Sequence, residues 1–271
     1  TNGGVTWGAR VDLTTSTAKI LIQNTHTMSV TGITTNLGTV TSTDGNWTFN
    51  GAVSSTGSIG SNSGNTTFAS TFQNNGIFDV GAGVATATDA FTNTSSTNGG
   101  SGRLVIGSTW TNTGSFTPQS GTVRFAGTAA QTIPVTSLNN LDVRTTGGDA
   151  TLAGSLTATG TTNVVSGSTL AIGNATYTAV GLITNTGTIT KGATGKIIHT
   201  AESNRFTDAN GTAVSSYSTP GSVYIQVQDS NRNLLGGSVE SMNVSFAENP
   251  NAGSDSETFT LTETAASSGI F

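Results

Sequence analysis

The hexapeptide Gln73–Phe78, "QNNGIF", belongs to a repeat that decides the fold of this chain. Similar hexapeptides begin at Thr35 ("TNLGTV"), Ser54 ("SSTGSI") and Thr111 ("TNTGSF"). The starts at 35, 54, 73 and 111 are 19, 19 and 38 residues apart, so one period of 19 accounts for all four. A degenerate copy, "TNTSST", begins at position 92, where the period requires one. Self-similarity at a fixed period is the signature of a repeat architecture.

The bulky residues follow the same period in three columns. The columns are Leu21, Val40, Ile59, Phe78, Thr97 and Phe116; Val30, Phe49, Phe68, Ala87, Ile106 and Phe125; and Thr34, Val53, Phe72, Phe91, Trp110 and Ala129. All seven phenylalanines before residue 200 fall in these columns. From them we predict an interior core ladder of Val30, Phe49, Phe68, Phe72, Phe78, Phe91, Ile106, Trp110, Phe116 and Phe125.

Short alternating stretches such as Gly121–Gly127, "GTVRFAG", indicate β-strands, whose side chains point to opposite faces in turn. Abundant Gly and Thr oppose a helical repeat. The sequence therefore predicts an all-β fold, a parallel β-helix (β-solenoid) with about 19 residues per coil. Like residues of successive coils would stack about 4.8 Å apart.

The "N-x-G" of each hexapeptide predicts a corner of the coil. Glycine would supply a positive φ there. The asparagines would form a turn ladder by hydrogen bonding from coil to coil. This ladder consists of Asn36, Asn74, Asn93 and Asn112, with Ser55 in one coil. The alternative is that these residues only mark isolated surface hairpin turns.

After Ala129 the register changes, and Pro134 lies within the altered stretch. Coiling resumes over residues 150–173 and 181–199, and the latter contains another copy of the hexapeptide, Thr184–Ile189. The inward candidates are aliphatic here: Leu152, Leu156, Val164, Leu170, Ile172, Ile183, Ile189 and Ile197.

Residues 121–173 carry the pattern G-T-V-x-F-x-G…Q-x-I…N-L-x-V…L-x-G-x-L…S-G-x-L-x-I-G. This pattern resembles the repeats of bacterial surface β-solenoids, the haemagglutinin- and autotransporter-like adhesins. The resemblance covers roughly residues 30 to 200. It implies a solenoid at the cell surface or outside the cell, but no particular activity.

The charge balance changes near Thr200. Residues 1–200 carry six acids and seven Lys/Arg, and residues 201–271 carry eight acids and two Arg, a local net charge of −6. Alternating stretches within 222–229, 238–248 and 256–264 predict antiparallel strands. They resemble an immunoglobulin-like module of bacterial and archaeal surface proteins. We therefore predict a β segment over 1–24, a solenoid over 25–200 and an immunoglobulin-like sandwich over 201–271.

The 71 residues from 201 to 271 are few for a sandwich of about 100. An incomplete sandwich would leave an open edge that a strand from a neighbouring subunit could fill. Gly4–Asn24 is the candidate donor, and such exchange would polymerise the chain head to tail. A compact small sandwich, or one completed beyond Phe271, is the alternative.

Composition excludes several classes of function. The chain has no cysteine, so disulfides and thiol chemistry are absent. No apolar run approaches the roughly 18 residues of a membrane helix. A pI of about 4.8 opposes nucleic-acid binding. His26 and His199 lie in no catalytic motif and the six solenoid acids are scattered, so we predict that the protein is not an enzyme.

Calcium is the one cofactor that the sequence brings into consideration. Asp229, Asn231 and Asn233 place oxygen-bearing side chains at alternate positions, as in loops that bind hard cations. Asp208 would add another ligand. Ordinary Asx turns explain the same spacing, so both interpretations stay open.

Three hypotheses of function follow. The first is a structural subunit of an extracellular filament, sheath or surface layer, a homopolymer of this chain. The second is a monomeric adhesin or stalk that binds glycans or surfaces through exposed loops. The third is a polysaccharide-active β-helix enzyme, which would need clustered carboxylates.

Overall fold

A computed structural model describes residues 5–7, 13–15, 19–22, 27–61, 63–199, 203–207, 224–228, 239, 241–247, 256–265 and 270. The chain divides into two compact units, Thr1–Ile198 and His199–Phe271. The first unit is a parallel β-solenoid of about nine coils with about 19 residues per turn, which confirms the predicted solenoid.

One sheet runs through the whole solenoid, and four shorter sheets complete the coils. The first sheet contains, in stacking order, β1 (Val5–Trp7), β4 (Thr27–Val30), β7 (Asn46–Phe49), β10 (Thr66–Phe68), β13 (Val84–Ala87), β16 (Arg103–Ile106), β19 (Thr122–Phe125), β22 (Asn140–Val143), β25 (Thr162–Val164) and β28 (Ile183–Asn185). The second contains β2 (Leu13–Thr15), β5 (Thr34–Asn36), β8 (Val53–Ser55), β11 (Phe72–Asn74), β14 (Phe91–Asn93) and β17 (Trp110–Asn112). The third contains β3 (Lys19–Ile22), β6 (Thr39–Ser42), β9 (Ser58–Ser61), β12 (Ile77–Asp79), β15 (Ser96–Asn98) and β18 (Ser115–Thr117).

Two further sheets replace the second and third in the later coils. The fourth contains β20 (Gln131–Ile133), β23 (Ala150–Leu152), β26 (Thr169–Ala171) and β29 (Thr188–Thr190). The fifth contains β21 (Ser137–Leu138), β24 (Leu156–Ala158), β27 (Thr176–Ala179) and β30 (Lys196–His199). The change of register predicted after Ala129 is therefore a change of sheets.

The register is regular before this change and irregular after it. From Met28 to Val123, each residue of the first sheet pairs with the residue 19 positions later. Val123 then pairs with Leu141, 18 positions later, and Leu141 pairs with Thr162, 21 positions later. The later coils thus differ in length from one another.

Aromatic rings stack along the interior of the regular coils. Ring centroids are 5.4 Å apart for Phe49 and Phe68, 3.9 Å for Phe68 and Phe72, and 5.1 Å for Phe72 and Phe91. Phe78 contacts Phe72 edge to face at 5.0 Å. Stacked and edge-to-face rings attract each other beyond the effect of their buried area. The later coils are filled instead by smaller residues, including Leu156, Val164, Leu170 and Ile172.

Three residues predicted to face inward are placed differently. Ile20, not Leu21, pairs with Val40, because the first coil is one residue longer at this point. Ala129 is exposed because the second sheet ends at Asn112. Ile197 is 44% exposed on a strand of the last coil.

Pro134 interrupts a backbone hydrogen-bond ladder at the place where the third sheet stops. In four successive coils, the N–H of residues 58, 77, 96 and 115 donates to a carbonyl of the coil before. The next residue in this series is Pro134, which has no N–H. The backbone carbonyl of Gly114 therefore receives no hydrogen bond from residue 134, where the ladder would continue. A seam separates β18 from β21 at this point.

The corner glycines do not serve the predicted purpose. Among the described residues, positive φ occurs at Gly81, Gly100, Gly167, Gly173 and Gln119, and not in the "N-x-G" corners. A Cβ on Gly76 would instead lie 2.0 Å from the carbonyl oxygen of Gly57 in the preceding coil. Glycine is needed there because the coils approach too closely for a side chain.

The second unit contains two antiparallel strand pairs. β31 (Ser203–Thr207) pairs with β32 (Tyr224–Gln228), and β33 (Ser241–Ala247) pairs with β34 (Ser256–Thr262). β32, β33 and β34 fall within the three stretches predicted as antiparallel strands. These pairs do not make up an immunoglobulin-like sandwich among the described residues, so that finer prediction is not shown.

Candidate functional site

The predicted turn ladder lies inside the corner between the second and third sheets. Asn74 Nδ2 donates to Asn93 Oδ1 at 2.8 Å, and Asn93 Nδ2 donates to Asn112 Oδ1 at 2.7 Å. Asn36 Nδ2 donates to Ser55 Oγ at 2.9 Å. Asn36, Asn74 and Asn93 are fully buried. The structure therefore brings these residues together as internal structural groups rather than as a surface site.

The core ladder also lies in the interior. Nine of its ten members are buried in one continuous core: Val30, Phe49, Phe68, Phe72, Phe78, Phe91, Ile106, Trp110 and Phe125. Phe116 is only partly buried, because the third sheet ends at its strand. These side chains hold the coils together and, except for Phe116, contribute nothing to the surface.

The residues proposed for calcium cannot be placed. Asp208, Asp229, Asn231 and Asn233 lie outside the described residues. Within the part of the chain that the structure describes, no group of three His, Cys, Asp or Glu side chains could hold a metal ion. Calcium binding thus stays a prediction from the sequence.

The described solenoid acids other than Asp142 are not brought together in one site. Asp79 accepts a hydrogen bond from the backbone N–H of Gly81 at 3.0 Å, as in an Asx turn. Asp44, Asp89 and Asp149 are exposed. The side chains of His26 and His199 are not among those described.

Asp142 differs from the other acids, and no motif in the sequence indicates its role. It lies on the outer face of the first sheet, yet is only 6% exposed. Arg124 Nε donates to its Oδ2 at 2.7 Å, and Arg144 Nε donates to the same oxygen at 3.0 Å. Asn163 Nδ2 donates to Oδ1 at 3.0 Å. One carboxylate thereby fixes two guanidinium groups at the surface.

The register of successive coils brings the residues of this cluster together. Arg124, Asp142 and Asn163 are consecutive partners in the first sheet. Their sequence separations of 18 and 21 do not fit the 19-residue period. Sequence reasoning based on a constant period therefore could not bring them together.

A cleft of about 370 Å³ opens at the seam. Asn112, Ser115, Phe116, Pro134 and Ser137 are among the residues that line it. None of the described residues in the lining is charged. Hydroxyl and amide groups beside a partly exposed ring suit an uncharged ligand with several hydroxyl groups, and the volume is at the lower end of the roughly 300–1,000 Å³ of small-molecule sites.

Tyr177 is a polar group inside the later coils. Its side chain is fully buried, and its hydroxyl is hydrogen-bonded to the Thr162 hydroxyl. Burial raises the pKa of Tyr177 to about 12, and the hydrogen bond to Thr162 only partly opposes this. The phenol is therefore a neutral structural group at physiological pH.

Among the described residues there is no helix with the length and apolar character needed to cross a membrane. Comparison with known proteins gives no match to a protein-family model, to a curated protein or to a solved structure. The resemblance to bacterial surface adhesins therefore stays an expectation from the sequence pattern.

Proposed function

We propose that this protein is a structural subunit of an extracellular filament, sheath or surface layer, built head to tail from copies of itself. The observation that carries the proposal concerns the two outermost described strands of the first sheet. Within the described residues these are β1 and β28, and each has one edge without a strand partner in that sheet. Unpaired strand edges are templates for pairing with another chain.

The last coil also exposes apolar side chains. Val180, Leu182, Ile197 and Ile198 are each between 43% and 47% exposed. Covering such surface is favourable by about 25 cal/mol per Å². A coil of a second copy stacked on this end would cover these residues and extend the backbone ladder.

The N-terminal segment bears on how the copies join. Its strands β1, β2 and β3 pair in parallel with β4, β5 and β6 and so form the first coil. Donor-strand exchange would require this coil to leave the solenoid and lose those pairings. Stacking of coil on coil requires no such rearrangement, and we favour it over strand exchange.

Engineered cysteines test this arrangement, because the chain contains none. Thr6 and Thr184 occupy the same register column of the first sheet, at its two ends. Stacked copies would bring these positions about 4.8 Å apart, within the Cα range of a disulfide. The double variant Thr6→Cys/Thr184→Cys should therefore form a disulfide-linked ladder of oligomers on oxidation.

The matched control is Thr6→Cys/Thr86→Cys, whose second cysteine lies in the same column within the stack. It should give no ladder. Equal ladders from both variants, or none from either, would contradict end-to-end stacking. Deleting residues 1–24 adds a second test, because fibres that form normally without them would exclude donor-strand exchange.

The seam cleft favours a second candidate function, an adhesin that binds neutral glycans. Phe116 would lie against a sugar ring, and the surrounding hydroxyl groups would bond to it. Titration with neutral oligosaccharides tests this function, and Phe116→Ala should abolish the binding. Neither candidate function includes catalysis, and we propose no enzymatic role.

A further inference from the structure

Three arginines lie along the outer face of the first sheet, and two of them, Arg124 and Arg144, share Asp142. Arg124 pairs in register with Asp142, and Arg144 follows two residues after Asp142. Arg103 pairs with Thr122, two residues before Arg124 on the neighbouring strand. Diagonal neighbours of this kind are about 7–8 Å apart. Three of the seven Lys and Arg residues of positions 1–200 therefore occupy three successive coils of one face.

Asp142 holds Arg124 and Arg144 in place without using all of their N–H donors. Arg124 and Arg144 contact Asp142 through their Nε atoms. Within the described residues, no protein group accepts a hydrogen bond from their terminal Nη atoms. The Nε of Arg103 is buried and has no hydrogen-bond partner among those residues. Fixed guanidinium groups with free N–H donors lose little further freedom when they bind a partner.

The chemistry of the free donors selects a carboxylate. A guanidinium presents parallel N–H groups that match the two oxygens of a carboxylate. Asp142 contacts only the Nε atoms of Arg124 and Arg144, so their terminal N–H groups remain for such a carboxylate. With three arginines and one aspartate, the group carries a formal charge of +3 − 1 = +2. It would attract a second carboxylate from outside.

The chain itself contains a suitable source of carboxylates. Residues 201–271 carry eight acids and two Arg, a net charge of −6, whereas residues 1–200 carry a net charge of +1. The two parts of the chain are thus electrostatically complementary between copies. A second copy, like a soluble acidic polysaccharide, meets the long-range repulsion of the total charge of −5, so this contact depends on the local charges of the arginines and of residues 201–271.

We propose that Arg103, Arg124 and Arg144 form a carboxylate-binding patch that docks the acidic C-terminal region, residues 201–271, of a second copy of this chain. The proposal rests on the proposed self-assembly, to which it adds a second contact distinct from the stacking of coils. It also makes this contact dependent on salt, because charge pairs at a surface are screened over a Debye length of about 10 Å at 0.1 M salt.

The test uses the full chain at concentrations below the onset of fibres. Sedimentation velocity should show reversible self-association at about 20 mM NaCl that is lost at about 500 mM. Arg144→Gln should weaken this association roughly tenfold or more, since a charge pair at the interface is removed. Arg144→Lys keeps the charge but loses the paired N–H groups of the guanidinium, and it should weaken the association less than Arg144→Gln does. Lys191→Gln, the same charge change at an exposed position outside the patch, should have little effect.

A second pair of variants tests the partner region. Neutralising Asp229, Glu240, Glu248 and Asp255 reduces the charge of residues 201–271 from −6 to −2 and should abolish the association. The matched control neutralises Asp44, Asp79, Asp89 and Asp149, with the same change in total charge and little expected effect. Circular dichroism checks that each variant keeps its β structure.

Several outcomes would overturn the proposal. These are a monomer at every salt concentration, equal effects of Arg144→Gln and Lys191→Gln, or equal effects of the two sets of neutralised acids. Binding of polygalacturonate that requires Arg144, without self-association, would identify an acidic polysaccharide as the partner and also overturn it. Fibre formation is scored separately by negative stain. Normal fibres from a chain without salt-sensitive association would refute this contact while leaving the proposed function intact.

Discussion

The regular coils, residues 27–117, and the later coils, residues 131–198, solve the same packing problem in different ways. The regular coils repeat every 19 residues and contain stacked rings and an asparagine ladder. The later coils vary in length, are filled by aliphatic residues and contain the buried Tyr177. Rings and amides interact with their copies in the next coil only when the coil length is constant. Aliphatic side chains have no such requirement and tolerate variation in length.

The core of the regular coils should be the more sensitive to truncation. Phe72 contacts the rings of Phe68, Phe78 and Phe91, so Phe72→Ala should lower the free energy of unfolding by about 3–5 kcal/mol. Leu156→Ala is the matched change in the later coils. It should lower the free energy of unfolding by about 2–5 kcal/mol, and by less than Phe72→Ala does. Urea unfolding measures both. A larger loss for Leu156→Ala would contradict the comparison.

Raising the pH should destabilise the later coils through Tyr177. Its pKa rises from 10.0 in the unfolded chain to about 12 in the folded protein. The stabilisation is therefore complete below pH 10 and is lost as the pH rises from 10 to 12. The full loss approaches 3 kcal/mol, at about 1.4 kcal/mol per pKa unit. Thermal unfolding from pH 9 to 12 measures it, and a Tyr177→Phe variant with the same pH dependence would refute the assignment.

The asparagine ladder should matter only where the coils are regular. Asn93→Ala leaves Asn74 Nδ2 and Asn112 Oδ1 without their side-chain partner and should cost about 1–3 kcal/mol. Asn185 stands in the same "TNTG" motif of the last coil but is exposed. Asn185→Ala should therefore change the free energy of unfolding by less than about 0.5 kcal/mol. Similar losses in the two variants, measured by urea unfolding, would show that the ladder adds nothing.

Joining the two parts of the ladder should give the smallest effect. Ser55 interrupts the asparagines between Asn36 and Asn74. Ser55→Asn supplies the missing amide and should stabilise the protein by about 1 kcal/mol, the net value of one hydrogen bond. Chemical denaturation at neutral pH measures the gain. A loss of stability would mean that the corner has no room for the amide.

The sequence was sufficient for the parts of the fold that repeat with constant length. A period of 19 placed Phe49, Phe68 and Phe125 in one column because each coil adds the same number of residues. The same period misplaced Leu21 and Ala129, which lie where the coil length changes or the sheet stops. Pro134 is visible in the sequence near the place where the sheet stops. That it interrupts the sheet follows only from knowing that the coil-to-coil hydrogen-bond ladder requires an N–H at residue 134.

The charged patch could not be predicted for a related reason. Arg124, Asp142 and Arg144 are neighbours through an 18-residue step that no repeat in the sequence announces. Their contacts also depend on side-chain conformations at the surface, which the core pattern does not determine. The aromatic core, by contrast, is imposed by burial and so is visible in composition and spacing alone.

The most direct test of end-to-end assembly is X-ray diffraction from aligned filaments of the intact protein. If the coils of one copy continue into those of the next, the strands lie across the filament axis. A sharp meridional reflection at about 4.8 Å should then be observed. Filaments whose 4.8 Å reflection lies on the equator, or a protein that forms no filaments at all, would contradict a solenoid that polymerises through its ends.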